Sequence, residues 1–130
     1  MRSNPTSVLL VDDEDPVREM LRKLFERSQF AVTEAKNGWE GFTAAREDQP
    51  DVIVCDWMMP VMDGFEMLRL LRRLPKTQRI PIVMTTGLSE SECTECLGGE
   101  ENVRLLFKPF LMSDLLRTVR SFTAVPTPQN

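Results

Sequence analysis

The chain has 130 residues, enough for one hydrophobic core and too few for two ordinary domains. With 42% hydrophobic and 28% charged residues it is a folding domain, and a net charge of −4 argues against a nucleic-acid backbone as direct partner of this segment. No apolar run approaches the roughly 20 residues of a membrane span, and the start MRSNPTS lacks the apolar core of a signal peptide.

Three cysteines, an odd number, do not make a disulfide framework, so the expected setting is the reducing cytoplasm. Cys93 and Cys96 form a C-x-x-C. With no second pair and no histidine they cannot supply the four protein ligands of a structural zinc site, and their late position in a polar segment argues against a redox motif. Lack of histidine also removes a His general base, a Ser-His or Cys-His pair and a His phosphodonor. The chemistry left is that of carboxylates, hydroxyls and lysine.

In chain order, Val8 to Val11 is a compact apolar run, as in a strand covered on both faces. It breaks into Asp12-Asp13-Glu14-Asp15-Pro16, where Asp15 is expected to cap a helix and Pro16 to open it. Val17, Met20, Leu21, Leu24 and Phe25 then mark one buried helical face. A second strand is predicted over 30–35. Asn37, with Glu40 three residues on, should cap a second helix that turns Trp39, Phe42 and Ala45 to the core and ends at Pro50.

Val52 to Cys55 forms a third strand closing on Asp56. The loop Trp57 to Asp63 follows, and Gly64 opens a third helix expected to run to about Leu74, before Pro75. Ile80 to Met84 is predicted as the fourth strand, followed by Thr85-Thr86-Gly87. Ser89 starts a fourth helix with a thin stripe of Cys93, Cys96 and Leu97, which Gly98-Gly99 cuts after about two turns. Residues 88–102 are therefore expected to be mobile or irregular. Val103 to Phe107 is the fifth strand, Lys108-Pro109 follows, and Ser113 is expected to cap a last helix burying Leu115, Leu116, Val119 and Phe122. The domain is expected over 7–122, after an extension at 1–6 and before a tail or linker start at 123–130.

Strands alternating with helices predict an α/β domain with a doubly wound five-stranded parallel sheet. Its ligand site lies beyond the carboxyl ends of the strands. Those ends present Asp12-Asp13, Asp56, Thr86 and Lys108. Converging carboxylates repel one another, and a divalent cation relieves that repulsion. Mg²⁺, with Mn²⁺ as an alternative, suits such oxygen ligands. Asp13 and Asp56 are placed to bind it directly, the Met58 carbonyl is a candidate third ligand, and Asp12 acts through water. A carboxylate is also a nucleophile toward phosphorus. Lys108, a threonine hydroxyl and the backbone amides beside Met58 and Gly87 would cradle the phosphoryl group.

Asp56-Trp57-Met58-Met59-Pro60-Val61-Met62-Asp63-Gly64 closely resembles the phosphoacceptor strand and loop of response-regulator receiver domains of two-component signal transduction. Asp12-Asp13 after Val8-Leu9-Leu10-Val11 resembles their acidic pair. Thr86 after Pro81-Ile82-Val83-Met84, and Lys108-Pro109-Phe110, resemble the remaining two elements. The resemblance covers about residues 7 to 122. It implies a flavodoxin-like sheet in the order 2-1-3-4-5, Asp56 as phosphoacceptor, Asp12 and Asp13 as metal residues, Thr86 rather than Thr85 as switch hydroxyl, and Lys108 as phosphoryl contact. It also implies a sensor histidine kinase or histidine phosphotransfer protein as donor. A downstream partner or output domain would be the target, and the domain would be a switch catalysing only its own phosphorylation and dephosphorylation.

The blander roles are a solvated turn for Asp12-Asp13, a loop-stabilising carboxylate for Asp56 and a surface cation for Lys108. With Asp15 as the cap, the acidic pair is left for metal. Met59 and Met62 are expected to anchor the loop in the core, and Trp57 and Met58 to flank the pocket. Two departures from the family stand out. The usual switch aromatic of the fifth strand is Leu105 here, and the fourth helix, part of the usual signalling and dimer surface, is polar and short. A phosphorylation-dependent homodimer through that surface is accordingly an open option. The rival functions are an aspartyl-nucleophile phosphatase using Asp13 and Asp15, a pseudo-receiver interaction module, and a flavodoxin-like cofactor binder. Against these stand the helix start at Asp15, the complete acidic set with its lysine, and the lack of a phosphate-binding loop after the first strand.

Overall fold

A computed structural model describes residues 5–123, in which five strands and five helices alternate. They are β1 (Ser7–Val11), α1 (Asp15–Arg27), β2 (Ala31–Ala35), α2 (Gly38–Asp48), β3 (Val52–Asp56), α3 (Gly64–Leu71), β4 (Ile82–Thr86), α4 (Glu90–Leu97), β5 (Val103–Phe107) and α5 (Met112–Thr123). The strands form one parallel sheet in the order β2-β1-β3-β4-β5. The chain thus leaves β1 toward β2 and returns past it to β3, which puts the topological switch between β1 and β3. Most of the proposed 1–6 extension and 123–130 tail, residues 1–4 and 124–130, lies outside the described residues.

Strand alternation builds two cores. Leu9, Val11, Ile53, Cys55, Ile82 and Met84 face α2, α3 and α4, meeting Phe42, Ala45, Met67, Leu68, Leu71 and Cys93. Val8, Leu10, Val52, Val54 and Val83 face α1 and α5, meeting Leu21, Phe25, Leu115 and Val119. β1, β3 and β4 are buried on both sides because they are central, and that is why they are almost uninterrupted apolar runs.

Several local expectations are corrected. Asp15 lies inside α1 rather than capping it; the cap position is Glu14, without a side-chain cap bond. The turn is instead fed by Asp12, whose Oδ1 accepts the Glu14 N–H at 2.9 Å, while Asp15 pairs with Arg18 at 2.6 Å. α5 likewise begins at Met112, so Ser113 is inside it. Met20 and Trp39 are 48% and 53% exposed. α2 is drawn inward through its glycines: the Gly38 N–H donates to Met62 O at 3.0 Å, which leaves no room for a side chain there and turns Trp39 outward. There Trp39 packs on Phe42, with ring centroids 5.8 Å apart.

α3 stops at Leu71, three residues before the expected end. Its hydrogen bonds tighten to the i−3 pattern at Arg73 and Leu74, and the Thr77 hydroxyl caps Leu71 O at 2.6 Å. β4 starts at Ile82 rather than Ile80: the Ile80 N–H turns back to Thr77 O and Pro81 has none to give. Its end shifts equally, so Thr85 and Thr86 lie in the strand. α4 is short as expected, yet regular. Ser89 and Glu92 form a capping box, Gly98 closes it in the left-handed region at φ 56°, and of its stripe Cys93 is buried while Cys96 is exposed.

Candidate functional site

β1, β3 and β5 each deliver one charged side chain to the same edge of the sheet. Asp12 continues the alternation of Val8 and Leu10, and Asp56 that of Val52 and Val54, so both emerge on the α1–α5 side. Lys108 follows Leu106 in the same sense. The Lys108 Nζ donates to Asp56 Oδ1 at 3.1 Å. Asp12 and Asp56 are almost fully buried, at 5% and 6% exposure, while Asp13 is exposed. One carboxylate oxygen from each of Asp12, Asp13 and Asp56 lies within 4.8 Å of the others.

That proximity has an electrostatic consequence. Burial pushes the Asp12 carboxyl from 3.8 up to about 6, with the charges of Asp56 and Asp13 adding to the rise, against the Glu14 N–H and Lys108, which lower it. Three carboxylates with oxygen-only donors, one held near protonation, form a site that a hard divalent cation would relieve. The donor set therefore fits Mg²⁺ or a similar ion.

The loop after Asp56 is held from its ends. The Trp57 N–H donates to Thr85 O and the Gly64 N–H to Trp57 O, both at 2.9 Å. Met58 is 62% exposed, whereas Met59 and Met62 pack against the core as expected. Trp57 does not flank the pocket: it is 4% exposed and stacks on Phe65 with centroids 5.7 Å apart. Alternation explains this, since the residue after Asp56 must point to the opposite face.

Thr86 is not brought to the carboxylates in this conformation. It is fully buried, and its hydroxyl accepts the Leu88 N–H at 2.9 Å and the Cys93 thiol at 3.9 Å. Asp56 pairs in register with Thr85, while Thr86 pairs with Phe107. Leu105, at the position of the usual switch aromatic, is partly buried against the α2–α4 core. A side chain at Gly87 would meet nothing within 4 Å.

Gly64 is a site-shaping residue that the sequence does not reveal as one. A Cβ at Gly64 would stand 2.6 Å from Asp56 O and 2.7 Å from Met84 Sδ, so α3 docks against the acceptor strand through this glycine. The available signal is the D-G pair, whose glycine the sequence marks as the opening of α3. For the phosphatase alternative, Asp15 is engaged by Arg18 on the helix and is not part of the acidic cluster.

The response regulator receiver domain model matches residues 8–120. The transcriptional regulatory protein ResD of Bacillus subtilis is 36% identical over 121 residues, covering 92% of this chain and 49% of that protein. The chemotaxis protein CheY4 of Vibrio cholerae aligns with a TM-score of 0.83 at 30% identity, over 91% of this chain and 98% of that one. The receiver domain of sensor histidine kinase PA1611 from Pseudomonas aeruginosa, solved with a magnesium ion coordinated in its active-site cleft, gives a TM-score of 0.82 at 25% identity, over 93% and 99%. The chain therefore belongs to the response regulator receiver domain family, the signalling switches of two-component systems. It spans about half the length of curated relatives such as ResD. Among the described residues, no helix is long and apolar enough to cross a membrane.

Proposed function

We propose that Asp56 is the phosphoacceptor of this receiver and that Asp12, Asp13 and Asp56 hold the Mg²⁺ (or Mn²⁺) that transfer needs. The observation that carries this is the pairing of Asp56 with Lys108 at 3.1 Å beside two further carboxylates within 4.8 Å. Asp13, Asp56 and the Met58 carbonyl are the direct metal ligands in this reading, with Asp12 acting through water. The ion supplies charge neutralisation; the protein's own groups position the reactants. An Asp56 oxygen attacks phosphorus, the P–N bond of a phosphohistidine breaks, and the leaving imidazole keeps the electron pair and takes up a proton. Lys108, the Thr86 hydroxyl and the Gly87 N–H would then hold the phosphoryl oxygens.

The donor is a sensor histidine kinase or a histidine phosphotransfer protein, met in the cytoplasm. The only catalysis is the domain's own phosphorylation and dephosphorylation. Phosphorylated, the unit spanning 7–122 acts on a downstream partner or an output domain, or by pairing with a second copy. Treating the protein with acetyl phosphate and Mg²⁺ tests the core claim. Wild type should gain the mass of one phosphoryl group and Asp56→Asn should not; no gain on wild type overturns the assignment.

A further inference from the structure

Thr86 carries a hydroxyl and a methyl group on one carbon, so a turn of its χ1 exchanges the two. The backbone cannot easily follow, because the Thr86 carbonyl accepts the Lys108 N–H at 2.8 Å and the residue is paired with β5. In the conformation seen, the hydroxyl is held by the Leu88 N–H and by the thiol of Cys93. Thr86 continues the face of Met84, whereas Asp56 belongs to the other face of the sheet. Bringing the hydroxyl toward Asp56 therefore takes it off Cys93 and presents the methyl group to the thiol.

Cys93 is suited to that exchange. It is fully buried, and burial raises its pKa, so it stays a protonated donor. A thiol is a weak donor that also behaves as a small apolar group, so it holds a hydroxyl without penalising a methyl. It is also the one buried side chain of α4, with Leu97 half-buried beside it. Leu105, packed on the same cluster, has no group that could hold a hydroxyl.

We propose that Cys93 is a positioning residue for the Thr86 hydroxyl. Its buried thiol adds to the Leu88 N–H in holding the resting orientation and passes the threonine's movement to α4, a task that Leu105 cannot perform by hydrogen bonding. This rests on Thr86 being the switch hydroxyl of the pocket at Asp56.

The test follows Thr86 by NMR in methyl-labelled protein, using three-bond couplings to report χ1, for wild type, Cys93→Ser and Cys93→Ala. Each is measured before and after acetyl phosphate with Mg²⁺, with mass spectrometry recording the phosphoryl group on Asp56. Before phosphorylation, wild type and Cys93→Ser should show one rotamer and Cys93→Ala a mixture. After it, wild type should shift, and Cys93→Ser should shift about tenfold less in rotamer ratio because a buried hydroxyl would lose its acceptor. In Cys93→Ala the amide signals of α4 should no longer follow Thr86. Equal Thr86 populations in all three proteins, with Asp56 labelled, overturn the role of Cys93. If wild type gains no phosphoryl group the Asp56 assignment fails, and the unphosphorylated comparison still decides whether the thiol holds the hydroxyl. Should Cys93→Ser not fold, wild-type rotamer populations in Cys93→Ala overturn the proposal alone.

Discussion

Lys108 and Asp56 meet at 3.1 Å with unequal burial: the lysine side chain is 44% exposed and the aspartate 6%. The ion pair links the end of β5 to the end of β3, across β4, and among the described residues this amine is the cation that pairs with the carboxylate. A partly exposed, solvated ammonium contributes little to stability, about 1 kcal/mol or less. Its value to an incoming phosphoryl group in a crowded anionic pocket is larger. Lys108→Ala should slow labelling of Asp56 by acetyl phosphate by about 10- to 100-fold while leaving the urea midpoint almost unchanged. A time course by intact mass, alongside urea melts, checks both halves; unchanged labelling would remove Lys108 from the site.

Asp12 gives the site a pH signature. Its folded-state pKa of about 6 exceeds the ordinary 3.8, so between these values the folded protein binds a proton that the unfolded chain has released. The associated stability is fully present below pH 3.8 and is lost as pH rises through about 6. Metal-free protein should therefore lose about 1–3 kcal/mol over that window from this group. Asp12→Asn keeps an oxygen for the Glu14 N–H, so it should stabilise the metal-free fold at pH 7 by a similar amount. It should also weaken Mg²⁺ binding. Thermal melts from pH 4 to 8, with EDTA or with Mg²⁺, measure this; destabilisation of the metal-free variant at pH 7 contradicts it.

Sequence patterns located the charged edge of the sheet well because that edge is a property of strand ends. Val103–Phe107 was bounded correctly, and Asp12, Asp56 and Lys108 follow from where apolar runs stop and charges begin. Side-chain direction at those ends was harder. Trp57 turns to the core and Thr86 to α4 because each continues the alternation of its own strand, not because of its chemistry. Trp39 was misassigned for a different reason: apolar periodicity cannot reveal that Gly38 brings α2 within hydrogen-bonding distance of Met62. The start of β4 depends on a turn at Thr77 to Ile80 whose bonds only the folded chain shows.

Two glycines beside the site make opposite predictions. An added Cβ at Gly64 would press on Asp56 O at 2.6 Å and on Met84 Sδ at 2.7 Å, whereas at Gly87 it would meet nothing. The methionine end can yield and the acceptor strand's backbone cannot. Gly64→Ala should therefore cost about 1–3 kcal/mol and displace Asp56 from Lys108, lowering the labelling rate. Gly87→Ala should change stability by less than about 0.5 kcal/mol. Equilibrium denaturation of the pair checks this, and equal stabilities would mean that α3 docks with slack.

Arg72, at the C-terminal end of α3, carries a prediction far from the carboxylates. Its side chain is 12% exposed, and its Nε donates to Glu100 at 3.1 Å while Nη1 reaches Ile80 O at 3.0 Å. The Nη2 atom lies 3.3 Å from Glu101 O and 3.4 Å from Asn102 O, so one guanidinium ties α3 to the entrances of β4 and β5. Planar geometry with five donors makes this possible, and a lysine could satisfy only part of it. Arg72→Met retains the apolar stem but leaves Glu100 and several carbonyls without this donor. The expected loss is about 2–3 kcal/mol, with Arg72→Lys in between. Hydrogen exchange should quicken at the Ile82 N–H, which bonds Asn102 O, more than at the Asp12 N–H, which bonds Ala35 O at the far side of the sheet. Uniform quickening across the sheet would mean that the guanidinium supports the fold as a whole rather than this corner of it.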